Sequence, residues 1–339
     1  MTHLSPHALA IVRAFESIEM SRDGGFWWCG ERADWYPARY LAGLSAQERR
    51  ALTLNALTDC IYENFYRCGG ELSPLSPAGK DHPVSDPILR SQLAAANTGI
   101  GSWRPGWEVI GSDSRGRVRV RRDGLTLTAM PDEIRLIEAH EALTRWPANM
   151  YALSPGFHMA NLDVPPDPGT VPVRLYWHVA AAGAEPFIHA VTRRCNEAGI
   201  GGSLKVLNDR SRYDRCDSAV VYLSIEDVST HLDVISAIHV ELTSHLLPET
   251  PAMTLRLAKG LAIAQDPGGG VSFGQHRSRL IAEAAIRRGD SPTVDGLRSS
   301  PLARVFAAEG ISWQEPYCSQ HASDAFAQLA GRWNTQATA

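Results

Sequence analysis

VPVRLYWHVAAAGAEPFIHAVTRRCNEAGIGGSLKVLNDRSRYDRCDSAVVYLS, residues Val171–Ser224, is the stretch that decides the fold. It reads as strand, helix, strand, strand. Val171–Ala180 is a strand. Pro186–Ala198 is a helix with proline in its first turn, Ile188, Val191 and Cys195 on one face, and Gly199 as its stop. Ser203–Asn208 and Ala219–Ser224 are strands. Downstream, Asp227–Leu246 predicts a long helix that buries Leu232, Ile235, Ile238, Leu242 and Leu246. Thr254–Ala258 predicts a further strand and Ser272–Arg288 a further helix. Residues 161–339 therefore form an α+β unit, a mixed or antiparallel sheet packed with helices.

Upstream, residues 1–160 read as a helical part with a β-meander. MTHLSPHALAIVRAFES at the N-terminus is an amphipathic helix. Ser45-Ala-Gln-Glu48 is a capping box, followed by Leu54, Leu57, Ile61 and Phe65 on one helical face until Gly69-Gly70. Residues 71–88 read as a loop and Asp86–Ala96 as a helix. Trp107–Ile110, Arg117–Arg122 and Leu125–Met130 predict three strands, with Asp123-Gly124 as a hairpin turn. Arg117, Arg119 and Arg121 share one face of the middle strand, either a solvated face or a docking surface for an acidic peptide. Asp132–Arg145 reads as helical. The linker Pro165-Pro-Asp-Pro-Gly169 puts a domain boundary near 150–170.

Composition narrows the function classes. The chain has 339 residues, 44% hydrophobic and 21% charged, with a net charge of -4. That is an ordinary globular balance, with no global basicity to favour nucleic acid or a membrane surface. Six cysteines contain no C-x-x-C pair, which argues against zinc ribbons and thioredoxin chemistry. No signal peptide and no membrane-spanning run is read, so a cytoplasmic location is expected.

Two regions carry candidate chemistry. In Lys259–Glu283 (KGLAIAQDPGGGVSFGQHRSRLIAE), three glycines run into Ser272 and a helix carrying Arg277 and Arg279. Glycines and a helix N-terminus make a candidate phosphate cradle; the ordinary alternative is a flexible turn with Ser272 as N-cap. No Gly-Lys-Ser/Thr follows, and Gly268-x-Gly270-x-x-x-Gly274 misses the dinucleotide spacing by one residue. The second region is the pair of strands in Val171–Ser224. Lys205 alternates with Leu204 and Val206, and partial desolvation there would suit it to base duty. Arg210, Arg212 and Arg215 follow, and arginine forks suit a phosphate dianion. Tyr222 and His178 are candidate proton donors to a leaving oxygen. The ordinary alternatives are a surface lysine, a partly buried histidine and solvated arginine–aspartate pairs. His231, His239 and His245 are spaced too irregularly for a metal site, and no G-x-S-x-G elbow is present.

IYENFY (Ile61–Tyr66) followed by Gly69, LAAAN (Leu93–Asn97) with Gly106-Trp107, and Gly260-x-Ala262, Asp266-Pro267, Ser272-Phe-Gly274 and Arg279–Glu283 resemble the HopA family of type III effectors. The resemblance extends to its actinobacterial relatives, stand-alone lyase components of class V lanthipeptide and thioamitide biosynthesis, and covers roughly residues 50–290. It implies that a kinase-like partner phosphorylates Ser or Thr in a ribosomal precursor peptide. This protein would then eliminate phosphate to leave dehydroalanine or dehydrobutyrine, without cofactor or metal. By the same resemblance Lys205 is the base, His178 or Tyr222 the acid, and Arg212, Arg215, Arg256 and Arg279 the phosphate ligands. A lysine base among cations suits the chemistry, because the Cα proton beside a peptide carbonyl is barely acidic. Two other readings compete. One is a non-catalytic scaffold that binds the peptide or the kinase through the N-terminal helices and the arginine strand face. The other is a nucleotide-using transferase, which lacks any recognised motif.

Overall fold

The computed structural model describes residues 4–21, 24–33, 36–75, 86–138, 140–151, 153–167, 169–290 and 301–337. The chain is α+β, with three antiparallel sheets among the described residues. At its centre lies a seven-stranded sheet of β9 (Asn149–Met150), β10 (Phe157–Asn161), β11 (Pro172–Trp177), β12 (Ser203–Leu207), β13 (Ala219–Ser224), β14 (Leu255–Ala258) and β15 (Leu261–Gln265). The strand order is β14-β15-β11-β13-β12-β10-β9.

Helices cover both faces of this sheet, and two adjacent residues show how. Trp177 packs its ring against Phe187 of α5 (Ala184–Glu197) at 5.8 Å, whereas Tyr176 meets Phe273 of α8 (Phe273–Asp290) at 6.4 Å. Successive strand side chains point to opposite faces, so α5 and α8 sandwich the sheet. The N-terminal helices join the α8 side. α1 (Pro6–Glu16) is capped by Ser5, and α3 (Ala46–Ile61) starts at the expected Ser45/Glu48 capping box. α3 continues into a π-helical turn, Tyr62–Tyr66, before Gly69 and Gly70 end the run in left-handed conformations. One apolar core runs from Ile11 through Phe65 and Trp177 to Trp333.

β4 (Ser102–Ser112), β5 (Val118–Arg122), β6 (Leu125–Ala129), β7 (Ile134–Glu138) and β8 (Glu141–Trp146) form a separate five-stranded sheet. Its own core is small: Trp107, Val120 and Ala142. The expected hairpin at Asp123-Gly124 is present, with φ of 48° and 79°. Arg119 and Arg121 are exposed while Val120 is buried, as the alternation predicts; Arg117 and Arg121 pair with Asp113 and Glu108.

Several expectations are corrected. Asp132–Arg145 is not a helix: it forms β7 and β8, because Ala142 pairs with both Trp107 and Leu136 and completes the meander. The long helix expected over Asp227–Leu246 is broken. α6 (Ile225–Thr230) ends at His231, whose φ of -112° and ψ of 40° leave the helical region, and α7 (Leu232–Leu242) begins anew. The mostly helical first hundred residues also hold a small sheet, β1 (Ile18–Met20), β2 (Phe26–Trp28) and β3 (Glu31–Arg32), beside α2 (Ala38–Ala42). Asp86 caps α4 (Pro87–Ala96) as expected. Of the expected loop at 71–88, residues 76–85 lie outside the described residues, as does Pro168 of the linker. α9 (Pro301–Ala308) and α10 (Ser323–Ala337) follow.

Candidate functional site

On the α8 face of the seven-stranded sheet, two rows of side chains run across strands. Arg174 on β11 pairs with Tyr222 on β13, and Tyr222 with Ser203 on β12. One step along, Tyr176 pairs with Val220 and Val220 with Lys205. Lys205 and Tyr222 are half-buried, whereas their strand neighbours Leu204, Val206, Val221 and Leu223 are buried in the opposite face. These rows form the floor of an open cavity of about 240 Å³, mouth included, walled by Tyr62, Tyr66, Ser272 and Gly274.

The π-helical turn and α8 meet tightly above the floor. Tyr62 and Tyr66 stack at 5.3 Å between ring centroids. Gly274 lies so close that a Cβ there would fall 2.3 Å from Tyr66 Cε1. This contact explains the glycine in Ser272-Phe-Gly274. Ser272 caps α8, its Oγ accepting from the Gln275 N–H at 3.1 Å. The three glycines before it are a turn: Gly268, Gly269 and Gly270 have φ of 76°, 62° and 73°, with nothing near their Cβ positions. Asp266 anchors the turn by accepting from Gly268 N–H at 2.8 Å and from Arg174 Nε at 2.6 Å. Arg174 also donates to the Val271 carbonyl at 2.9 Å. The side chain of Arg174 is 9% exposed. Burial alone would lower its pKa, but Tyr176, Tyr222 and Asp266 together outweigh burial and raise it.

Lys205 differs from the other cations around the cavity. Its Nζ lies 4.3 Å from the Phe157 ring centroid and 5.9 Å from that of Tyr222, and no carboxylate oxygen lies within ion-pair distance among the described residues. Beneath it, Arg215 and Asp217 form a buried bidentate pair at 2.5 and 2.8 Å. Tyr62 donates to Asp217 at 2.9 Å and accepts from Arg215 at 2.6 Å. Desolvation pushes the Asp217 carboxyl upward, but Arg215, Tyr62 and Lys205 overcome it and hold it at about 2. Tyr66 and Tyr176 interact through their hydroxyls, and burial pushes the pKa of both phenols upward.

The structure brings together only part of the set chosen from sequence. Lys205 and Tyr222 line the cavity, and Arg215 lies just beneath it, engaged by Asp217 and Tyr62. His178 is buried one step past Tyr176; its Nδ1 lies 3.1 Å from the Glu249 carbonyl oxygen, and burial lowers its pKa. It does not line the cavity. Arg212 sits against Gly156 in the turn after β12. Arg256 is exposed, donates to Ala258 in its own strand, and lies four strands from Lys205, about 19 Å at ordinary strand spacing. Arg279 is 50% exposed and pairs with Glu283. Among the described arginines the one that lines the cavity is Arg174, two residues before Tyr176 on the same face. The alternation of Arg174 and Tyr176 was a visible signal; their meeting with Asp266 and Ser272 was not.

Among the described residues no helix is long and apolar enough to cross a membrane. Comparison with curated proteins gives no match. Solved structures similar to the chain include two effector proteins. The effector protein from Pseudomonas syringae pv. tomato strain DC3000 shares 16% identity over 92% of this chain and 98% of its own, with a TM-score of 0.46. The effector protein from Pseudomonas syringae pv. syringae strain 61 shares 15% identity over 80% of this chain and 93% of its own, with a TM-score of 0.45. A family model, that of the HopA1 effector protein family, matches residues 148–318, half of the chain, from β9 past α9. The chain belongs to the HopA1 effector protein family.

Proposed function

We propose that the cavity eliminates phosphate from phosphoserine or phosphothreonine in a kinase-modified precursor peptide, leaving dehydroalanine or dehydrobutyrine. The single observation that carries this reading is Lys205, a strand-borne amine with no carboxylate oxygen of the described residues within ion-pair distance, lining one small cavity with Tyr222 and Arg174. In the reaction the Lys205 amine takes the Cα proton. The C–H electron pair becomes the Cα=Cβ bond, the Cβ–O bond breaks, and phosphate leaves with its electrons. Tyr222 is the proton donor to the leaving oxygen; His178, outside the cavity and bonded to Glu249, is less suited. Cations held by the fold stabilise charge that develops on the enolate-like oxygen and on the leaving group.

The test is mass spectrometry of a phosphothreonyl peptide incubated with the full chain. Loss of one phosphoric acid per modified residue is expected, abolished by Lys205→Ala and reduced at least tenfold by Tyr222→Phe. Elimination that survives Lys205→Ala intact removes the base assignment. Peptide capture without phosphate release supports a binding scaffold instead.

A further inference from the structure

The cavity is polar at both ends, and the two ends are not equivalent. At one end Asp217 presents a carboxylate whose two oxygens are already taken by Arg215 and Tyr62. At the other end lie Arg174 and Ser272; Asp266, which Arg174 and Gly268 engage, does not line the cavity. Each end holds an arginine–aspartate pair, but the carboxylate lines the cavity at the first end and the arginine lines it at the second.

Two groups at that second end have unused donors, and Lys205 flanks Tyr222 with Arg174. Arg174 is buried, with Nε and one terminal nitrogen bonded to Asp266 and Val271; among the described residues its other terminal nitrogen has no hydrogen-bond partner. The first N–H groups of a helix have no partners within it. In α8, Ser272 Oγ takes that of Gln275, which leaves those of Phe273 and Gly274. The helix dipole adds to their attraction for an anion. Lys205 closes the set from β12, one row along.

We propose that the Arg174–Ser272 end of the cavity is a binding subsite for a phosphomonoester dianion. Its ligands are the unbonded terminal nitrogen of Arg174, the backbone N–H groups of Phe273 and Gly274, and Lys205 until it acts as base. The inference rests on the lyase reading only for what the phosphate is attached to. It moves the phosphate from Arg212, Arg256 and Arg279 to the helix N-terminus that the sequence offered as a candidate cradle, and adds Arg174 as its arginine. It also gives the turn Asp266–Gly270 a task. The turn fixes Arg174 through Asp266 and returns the chain to α8 at the height of the anion.

Inorganic phosphate is the probe, titrated calorimetrically into the full chain. Ser272→Asp and Ser272→Asn are both good N-caps and nearly isosteric, so both keep α8, but only the first puts a carboxylate beside the anion. Phosphate is expected to bind at least tenfold more weakly to Ser272→Asp than to Ser272→Asn, and to be lost in Arg174→Gln. Arg256→Gln and Arg279→Gln are expected to bind like the unaltered protein. Equal binding by the two Ser272 variants overturns the subsite, as does loss of binding in Arg256→Gln or Arg279→Gln. Elimination from a phosphothreonyl peptide is measured on the same samples. Phosphate binding of the expected pattern without elimination sinks the lyase reading and leaves the subsite standing. Elimination with binding indifferent to residue 272 does the reverse.

Discussion

Arg215 shows how a buried charge can be mistaken for a ligand. Its guanidinium, 4% exposed, has an ion pair with Asp217 and a hydrogen bond to Tyr62. An arginine so engaged holds a carboxylate and a tyrosine in place and has little left for a substrate. Removing one partner of a buried pair strands the other in low dielectric, at a cost of about 3–5 kcal/mol. Arg215→Ala should therefore lower unfolding free energy by about that amount in urea, with or without phosphate present. A variant as stable as the parent would release Arg215 for the role of phosphate ligand. A second residue carries a pH signature. His158 is buried, donates from Nε2 to Asn149 at 3.0 Å, and is held near a pKa of about 4 by desolvation and by Arg90. An unfolded histidine titrates near 6.5, so between about 6.5 and 4 the unfolded chain binds more protons than the folded one. The stabilisation is complete above about pH 6.5 and is lost as pH falls towards 4. Between pH 7 and pH 5 it amounts to about 2 kcal/mol. His7, His178, His239 and His276 are lowered in the same sense, so the comparison must be with His158→Gln, whose denaturation midpoint should fall less over that interval.

At the scale of elements, two glycines a few residues apart are required for different reasons. Gly274 sits in a helix, where alanine is ordinarily preferred, but its Cβ would meet Tyr66 and Tyr62 at 2.3 and 2.7 Å. Gly274→Ala must move α8 or the π-helical turn, an overpacking that costs typically 1–3 kcal/mol. Gly269 has open space around its Cβ position but a φ of 62°, so Gly269→Ala costs roughly 1 kcal/mol from backbone alone. Thermal melts of both, with Gly269→Asn recovering most of the loss and Gly274→Asn recovering none, distinguish the two causes. Local signals of this kind are what a sequence makes legible. The Ser45 capping box, the Asp123-Gly124 turn, the Val118/Val120 alternation and the strands β12 and β13 depend on residues within a few positions of one another. What was missed depends on partners far along the chain. Asp132–Arg145 has helix-forming residues, and β4 makes it strand. Leu261–Gln265 is a plain apolar run until β11 pairs with it. In the site, Lys205 and Tyr222 were legible from their strands, whereas Arg174 acquires its place only through Asp266, 92 residues away.

At the scale of the whole molecule, the distribution of buried apolar residues sets which parts open together. The seven-stranded sheet is covered on both faces and shares one core with the N-terminal and C-terminal helices. The cavity depends on that sharing, because its floor comes from β11, β12 and β13 while its wall comes from Tyr62, Tyr66 and Ser272. The five-stranded sheet over residues 102–146 has three buried core residues, and its outer strands carry Leu125 and Leu136 at 49% and 64% exposure. Stability within a fold follows buried apolar contact, and poorly buried units open with free energies well below that of global unfolding. Amide hydrogen exchange should therefore separate the two. Protected amides in β5, β6 and β7 should exchange at least a hundredfold faster than those in β11, β13 and β15. Mild denaturant should accelerate the second group and leave the first nearly unchanged, because opening a small sheet exposes little new surface. Gly274→Ala, which loosens the shared core, should narrow the gap by speeding only the second group. Exchange of both sheets at one rate, with one denaturant dependence, would mean that the meander is bound into the main core after all. In that case a change on the arginine face of β5 would reach the cavity, a coupling that so small an apolar cluster cannot transmit.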